Sequence, residues 1–368
     1  MKLEGIRVLD LSSFLPGPYV TLGMADHGAE VIKIEAPDEG DPGRHIGLAD
    51  GAHTVFFRNL NRGKKSVVLD LKAPADREAF LRLVDTADVV VESYRPGVAA
   101  RLGVDYASVA SRNPRIVYLS ISAFGQDGPY ASRPAHDLAI EAIGGLLSNN
   151  LGGDGRPALP AIPIADVTAG LQGLAGVLMA LLRRERTGLG DRIDISMHEA
   201  LVGAMLNVLG PTLAEGRAPD TPNERTTGGA AFYRLYDCAD GRQVAIAGQE
   251  PKFVRTLLRA LGREDLAPLC ERGPGPHQAP VVALLQSTFA AMSSADAEAM
   301  LADMDVCWGR VATMPEALAD PHLAARGFIT RDADGLRHIG SPIRFQYEPA
   351  MPTLVTPLLD EHVSLVRD

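Results

Sequence analysis

The chain has 368 residues, of which 46% are hydrophobic and 22% charged, enough apolar material for more than one core and unlike the composition of a disordered chain. Its formal net charge of −10 excludes a phosphate-backbone binder, which needs a basic face, but permits an anionic small molecule held by a few local arginines. Three cysteines, Cys238, Cys270 and Cys307, are odd in number and lack metal-ligand spacing, so they read as reduced packing thiols and no metal site is expected.

The opening MKLEGIRVLDLSSF has neither an apolar signal core nor a small-residue cleavage site, and no apolar run is expected to approach the ~18 residues of a membrane span. A cytoplasmic protein without membrane or nucleic-acid partners is the expectation. Short β-branched runs follow at Ile6–Ser12, Glu30–Glu35, Lys65–Leu71, Ala87–Tyr94 and Arg115–Phe124, separated in several places by amphipathic stretches such as APADREAFLRLVDT. Such alternation predicts right-handed βαβ units on a largely parallel sheet, hence an α/β fold.

From Arg133 the chain reads RPAHDLAIEAIGGLL, an apolar helix-like face of Leu138, Ile140, Ile143 and Leu146 that opens with an imidazole beside a carboxylate. Asp137 suits a helix start, because its carboxylate can accept first-turn N–H groups. A Gly/Pro/Asn loop (149–163) leads into a helix over 166–188, with Asp166 at its start, Gly170, Gly173 and Gly176 permitting close approach, and arginines at its negative end. DRIDISMHEALVGAML reads as a strand and a helix. The polar stretch 217–229 connects to a second region that begins with two strands joined by an ADG turn and continues as helices to about 330. The last ~40 residues read as an extended return tail.

Several motifs exclude functions. Pro16-Gly17-Pro18 occupies the first strand-to-helix loop, where α/β proteins bind nucleotides, but it is not GxGxxG. GKKS at 63–66 precedes a strand, whereas a phosphate loop follows one, so nucleotide triphosphate hydrolysis is rejected. His198 has no second histidine at helical spacing, no G-x-S-x-G elbow occurs, and no lysine has a Schiff-base context. Arg95 and Arg101 end a strand where guanidinium groups can meet a phosphate or an adenine. His136, Asp166 and Glu250, the last in AGQEPKF, stand at the starts of three apolar segments, the arrangement that puts polar side chains at the mouth of a cleft; each is also a plausible cap.

The sequence resembles the family III CoA-transferases (CaiB/BaiF), and within them the α-methylacyl-CoA racemases. The resemblance is carried by LEGIRVLDLS…PGPY, GAEVIKIEAP, NRGKKSVVLDLK, VVVESYRPGVAARLG, GQDGPY…HD, the Asp166 helix and GGAAFYRLYDCADGRQVAI. It implies a Rossmann-like large domain built from both chain ends, expected at 1–190 plus 331–368, a connection over 191–228, a smaller α+β domain over 229–330, and an obligate, interlocked homodimer. It implies an acyl-CoA substrate, with CoA entering as the substrate thioester and no bound cofactor. In the transferase branch Asp166 would be the nucleophile that carries CoA as an aspartyl thioester; in the racemase branch His136 and Glu250 accompany it, and this chain has all three.

The expected chemistry is removal and return of the α-proton of a 2-methyl-branched acyl-CoA through an enolate. Asp166 and His136 would be facing proton carriers, Glu250 would fix the imidazole, and helix N-termini would stabilise the enolate oxygen. Where many family members place an arginine after the KIE strand, this chain has Ala36, so CoA contacts are expected from Pro18, Lys65, Arg95, Arg101 and Asp137, with Arg44 a further substitute. CoA transfer through Asp166 is the alternative, and a catalytically silent acyl-CoA-binding protein a second one.

Overall fold

In the computed structural model, which describes residues 1–367, the chain divides into two compact units. The first comprises Met1–Gly144, Pro160–Ala204 and the chain from Asp320 onward; the second comprises Gly145–Leu159 and Met205–Ala319.

Six strands form the sheet of the first unit: β1 (Arg7–Asp10), β2 (Glu30–Glu35), β3 (Lys65–Val68), β4 (Val89–Glu92), β5 (Val117–Ser122) and β6 (Asp191–Ser196). Their order is β3-β2-β1-β4-β5-β6 and every pair is parallel. This is the doubly wound order, which reverses between β1 and β4 and opens a crevice at the carboxyl ends of those strands. Helices α1 (Pro16–Asp26), α2 (Pro74–Val84), α3 (Val98–Leu102), α4 (Tyr106–Arg112), α5 (Asp137–Ile143) and α6 (Ile164–Thr187) complete the unit's main framework. Because the central strands are covered on both faces, they read as continuous apolar runs, and Val90, Ile32, Phe80 and Tyr118 share one buried cluster. Full burial of a side chain such as Phe80 contributes roughly 1.5–3 kcal/mol.

The glycines of α6 act as expected. A Cβ at Gly170 would stand 3.0 Å from the Pro16 carbonyl oxygen, and one at Gly173 would stand 3.2 Å from both Leu119 and Val20, so this face lies close on α1 and β5. The opposite face leaves Leu171, Leu178, Met179 and Leu182 exposed. Contrary to expectation, this 24-residue helix is long and apolar enough, by length and composition, to span a membrane. Its glycines interrupt the apolar run to the eye without adding polarity. Its glycine face lies in the core of the first unit.

Beyond Ser341 the tail is largely without regular structure, as expected. It covers the open edge of β3, where Val68 donates its N–H to Asp360 Oδ1 at 2.8 Å and His362 donates its N–H to the Ser66 carbonyl at 2.9 Å.

In the second unit β7 (Arg234–Asp237), β8 (Gln243–Ile246) and β9 (Trp308–Arg310) form an antiparallel sheet in the order β9-β8-β7, with the ADG turn joining the first two strands. Helices Pro251–Ala260, Ala279–Ala290 and Ser294–Ala302 belong to the same unit, and Tyr236, Val244, Leu257 and Phe289 share its core. The expected boundaries shift. Segment 191–228 is not one connection, because β6 completes the large sheet while the chain from Met205 joins the second unit, as does the loop 145–159. DRIDIS, expected as a strand, is one, and the charges it carries outward fit its place at the edge of the large sheet. The return to the first unit falls at Asp320 instead of 331.

Candidate active site

The site is built outward from the end of β1. Asp10 is fully buried and accepts hydrogen bonds from Thr21 Oγ1 at 2.6 Å, from the Ser12 N–H at 3.0 Å, from the Ser12 hydroxyl, and from Lys64 Nζ at 2.9 Å. On β2, Lys33 pairs with Asp41 at 2.7 Å and donates to the Ser12 carbonyl at 2.7 Å. Two lysines thus face two aspartates out of water. Burial alone would raise the Asp10 carboxyl, but Lys64 and Lys33 hold it well below the usual carboxylate range; burial pushes the Lys64 ammonium down to about 8.

This network fixes the turn from Leu11 to Leu15. Gly17 is needed for the approach, since a Cβ there would lie 2.2 Å from Ser12 Cβ, and the two prolines start α1. Phe14, within the turn, has φ of 63°, a left-handed conformation that costs a bulky residue about 1–2 kcal/mol.

The turn borders a cavity of about 320 Å³ at the strand-order reversal, lined also by Ser93, Arg95 and Pro96 after β4, Ser122 at the end of β5, and Arg133, His136 and Asp166. Asp166 sits in the first turn of α6, half-buried, and its carboxylate has no hydrogen-bond partner among the described residues. Burial first, then the negative charges of Asp137 and Glu141, push its carboxyl up to about 7. It is therefore a group able to give or take a proton near neutrality.

Asp137 and Glu141 cap a helix other than their own. Asp137 Oδ1 accepts the N–H groups of Ala165 at 2.8 Å and Asp166 at 3.1 Å, and Glu141 Oε1 accepts that of Ile164 at 3.1 Å. Spaced i, i+4 on α5, the two carboxylates meet the positive end of α6. Two expectations change. Asp137 holds the α6 terminus, a role its sequence position did not suggest, and the same bonds occupy the α6 N–H groups that were to stabilise an enolate. His136 is the N-cap residue of α5 but makes no cap bond with its side chain; its exposed ring meets Phe14 edge-on, with centroids 5.8 Å apart. Of the apolar face predicted after it, Ile140 is buried whereas Leu138 and Ile143 are exposed.

The expected CoA contacts separate. Arg95 lines the cavity. Arg101 lies exposed on α3 and does not line it. Pro18 is buried in α1, where its carbonyl accepts from Lys64 at 3.2 Å. Lys65 pairs with Glu30 at 2.5 Å at the amino end of the parallel strands, opposite the crevice. Arg44 is held by Glu35 at 2.6 Å and stacks on Phe57 with the guanidinium 4.0 Å from the ring centre. Sequence reasoning missed Phe14, Glu141 and Arg133. The guanidinium of Arg133 lies over Tyr130 at 5.3 Å, and neither Arg133 nor Arg95 forms a salt bridge among the described residues. Glu141 left one legible sign, a charge on an otherwise apolar helix four residues after Asp137.

Glu250 belongs to the second unit. It is the N-cap residue of helix Pro251–Ala260, is exposed, and makes no cap bond with its side chain. Within that unit it borders a cavity of about 430 Å³ with Asn207, Arg225, Thr226, Tyr233 and Gln249. No cluster of three potential metal ligands occurs among the described residues.

A parallel sheet of doubly wound order, with a desolvated carboxylate and an imidazole lining the cavity at its reversal point, gives the first unit the α/β architecture in which ligands bind at the strand-order reversal. The family model of CoA-transferase family III matches residues 3–363, and the chain belongs to that family. It is 32% identical over 370 residues to the acetyl-CoA:oxalate CoA-transferase of Acetobacter aceti, covering 99% of this chain and 94% of that protein. It is also 32% identical over 376 residues to the α-methylacyl-CoA racemase of Homo sapiens, covering 100% and 93%. Among solved structures, a CAIB/BAIF family protein from Brucella suis superposes with a TM-score of 0.83 at 33% identity, over 98% of this chain and 97% of that one. Rv3272 from M. tuberculosis superposes with a TM-score of 0.85 at 29% identity, over 99% and 98%. The protein is an enzyme of the family III CoA-transferase/racemase superfamily.

Proposed function

We propose that the protein racemises 2-methyl-branched acyl-CoA thioesters by 1,1-proton transfer. The observation that carries this reading is Asp166, a carboxylate without a hydrogen-bond partner among the described residues, raised to about 7 in the same cavity as His136. A nucleophilic carboxylate works as the anion, whereas a group half-protonated near neutrality is poised to exchange protons.

One carrier takes the C2 proton, and the electron pair of the C–H bond moves into the thioester carbonyl to give an enolate. The other carrier delivers its proton to the opposite face of C2, forming the antipode. The two carriers are left with their protonation states exchanged, and solvent restores them. Arg95 and Arg133, at the cavity wall and without a salt bridge among the described residues, are the proposed cations for CoA phosphate or enolate charge. Glu250, whose carboxylate leaves its own helix uncapped, is retained as the third required residue.

The specific test is chiral analysis of each pure enantiomer of a 2-methylacyl-CoA incubated with the protein and no free acid. Convergence on one mixture from both sides is expected. A static enantiomer together with a mass increase on Asp166 would replace this reading with CoA transfer, the activity named for the Acetobacter relative. We also propose that the protein forms an interlocked homodimer, because Leu171, Leu178, Met179 and Leu182 leave an apolar face of α6 in water. Light scattering should give twice the chain mass; the mass of a single chain would refute it.

A further inference from the structure

Phe14 is an anomaly for which fold stability gives no reason. A residue held at φ of 63° is better served by glycine or asparagine, yet the position carries a phenyl ring that remains 40% exposed at the cavity. Its backbone has no freedom to relax. Leu11 donates its N–H to the Val91 carbonyl at 2.8 Å, Lys33 holds the Ser12 carbonyl at 2.7 Å, Ser13 donates to Ser93 Oγ at 3.1 Å, and Phe14 itself donates to Asp41 Oδ1 at 3.4 Å. The buried charges thus fix a strained turn whose product is one ring, set edge-on to the imidazole of His136 at 5.8 Å and 79°. Within its own unit that imidazole has no hydrogen-bond partner among the described residues, so the edge-on contact with Phe14 is the one directional side-chain interaction it makes there among the described residues.

We propose that Phe14 is a positioning residue that holds the His136 ring in the orientation needed to reach C2 of the substrate. The proposal rests on the proton-carrier reading of His136. It predicts an effect on turnover and little on binding, since misorientation of a catalytic group is paid in rate.

The test uses the full chain with Phe14→Ala, Phe14→Gly and Phe14→Tyr. Steady-state α-proton exchange is expected to lose roughly tenfold in kcat in the Ala and Gly variants, with KM within about twofold. The Tyr variant, which keeps the ring, should retain the rate. Independently of activity, the His136 ring signal, read as the order parameter of the imidazole Cδ2–H assigned by its loss in His136→Asn, should fall in the Ala and Gly variants and stay in place in Tyr. Phe14→Gly should melt above Phe14→Ala, the reverse of the usual order, because φ is positive. An unmoved ring signal in Phe14→Ala, a loss carried by KM, or a Tyr variant as slow as Ala would overturn the proposal. If the unaltered protein exchanges no proton, the proton-carrier reading fails, and the ring signal still decides whether Phe14 orients His136.

Discussion

Replacing Asp166 by Asn should make the protein inactive and, above neutral pH, more stable. The folded carboxyl titrates at about 7 against an ordinary 3.8, so between those values the native state binds a proton that the unfolded chain has released. Stability is therefore lost as pH rises from about 4 to 7, and the loss is complete above that range. The full gap corresponds to about 4 kcal/mol at 1.36 kcal/mol per unit. Asp166 is only half-buried and faces an open cavity, and solvent screening reduces the expected effect to about 1–2 kcal/mol. Asparagine keeps the shape and carries no charge at any pH, so it escapes the penalty. With roughly 2–4 °C per kcal/mol, scanning calorimetry without ligand should find Asp166→Asn melting several degrees above the unaltered protein at about pH 8. The gap should shrink steadily toward about pH 5. A gap independent of pH, or a lower melting temperature for the variant at about pH 8, would refute the assignment of Asp166 as a desolvated acid.

His136→Ala should abolish loss of the α-proton from at least one enantiomer while leaving the melting temperature nearly unchanged, since the exposed ring caps nothing; undiminished exchange from both enantiomers would remove His136 from the reaction. Asp137→Asn should move the Asp166 inflection in the pH–rate profile downward, but only part of the way to the ordinary carboxylate value, because burial, the larger cause, persists. An inflection that stays in place would show that Asp137 acts only as a cap. Asp10→Asn should cost about 3–5 kcal/mol in chemical denaturation by leaving Lys64 and Lys33 buried with one aspartate between them. A loss under about 1 kcal/mol would mean that water reaches the pair.

Much of the first unit was legible because its strands are short, β-branched and fully covered, so composition and periodicity coincide with burial. DRIDIS was legible as a strand but not as part of the large sheet, since an edge strand carries charges outward and its pairing partner lies far back in the chain. His136 and Asp166 could be singled out as titratable groups at the starts of apolar segments. The role of Asp137 could not, because its carboxylate caps a helix that begins 27 residues later in the chain. Pro18 and Lys65 lie away from the cavity lining for a related reason: a motif places a residue on a turn or strand, and only the packing decides whether its side chain faces the crevice, the core or the opposite edge. Phe14 was invisible because a positive φ is a property of the folded turn and leaves no mark when the residue is not glycine.

Proton transfer at C2 without an acceptor acid is most directly read by incubating one enantiomer of a 2-methylacyl-CoA with the purified protein in heavy water. The account predicts one deuterium at C2 in both enantiomers of the recovered thioester, with Asp166 unmodified in the intact-mass spectrum. Recovered substrate free of deuterium, with CoA retained on Asp166, would contradict it.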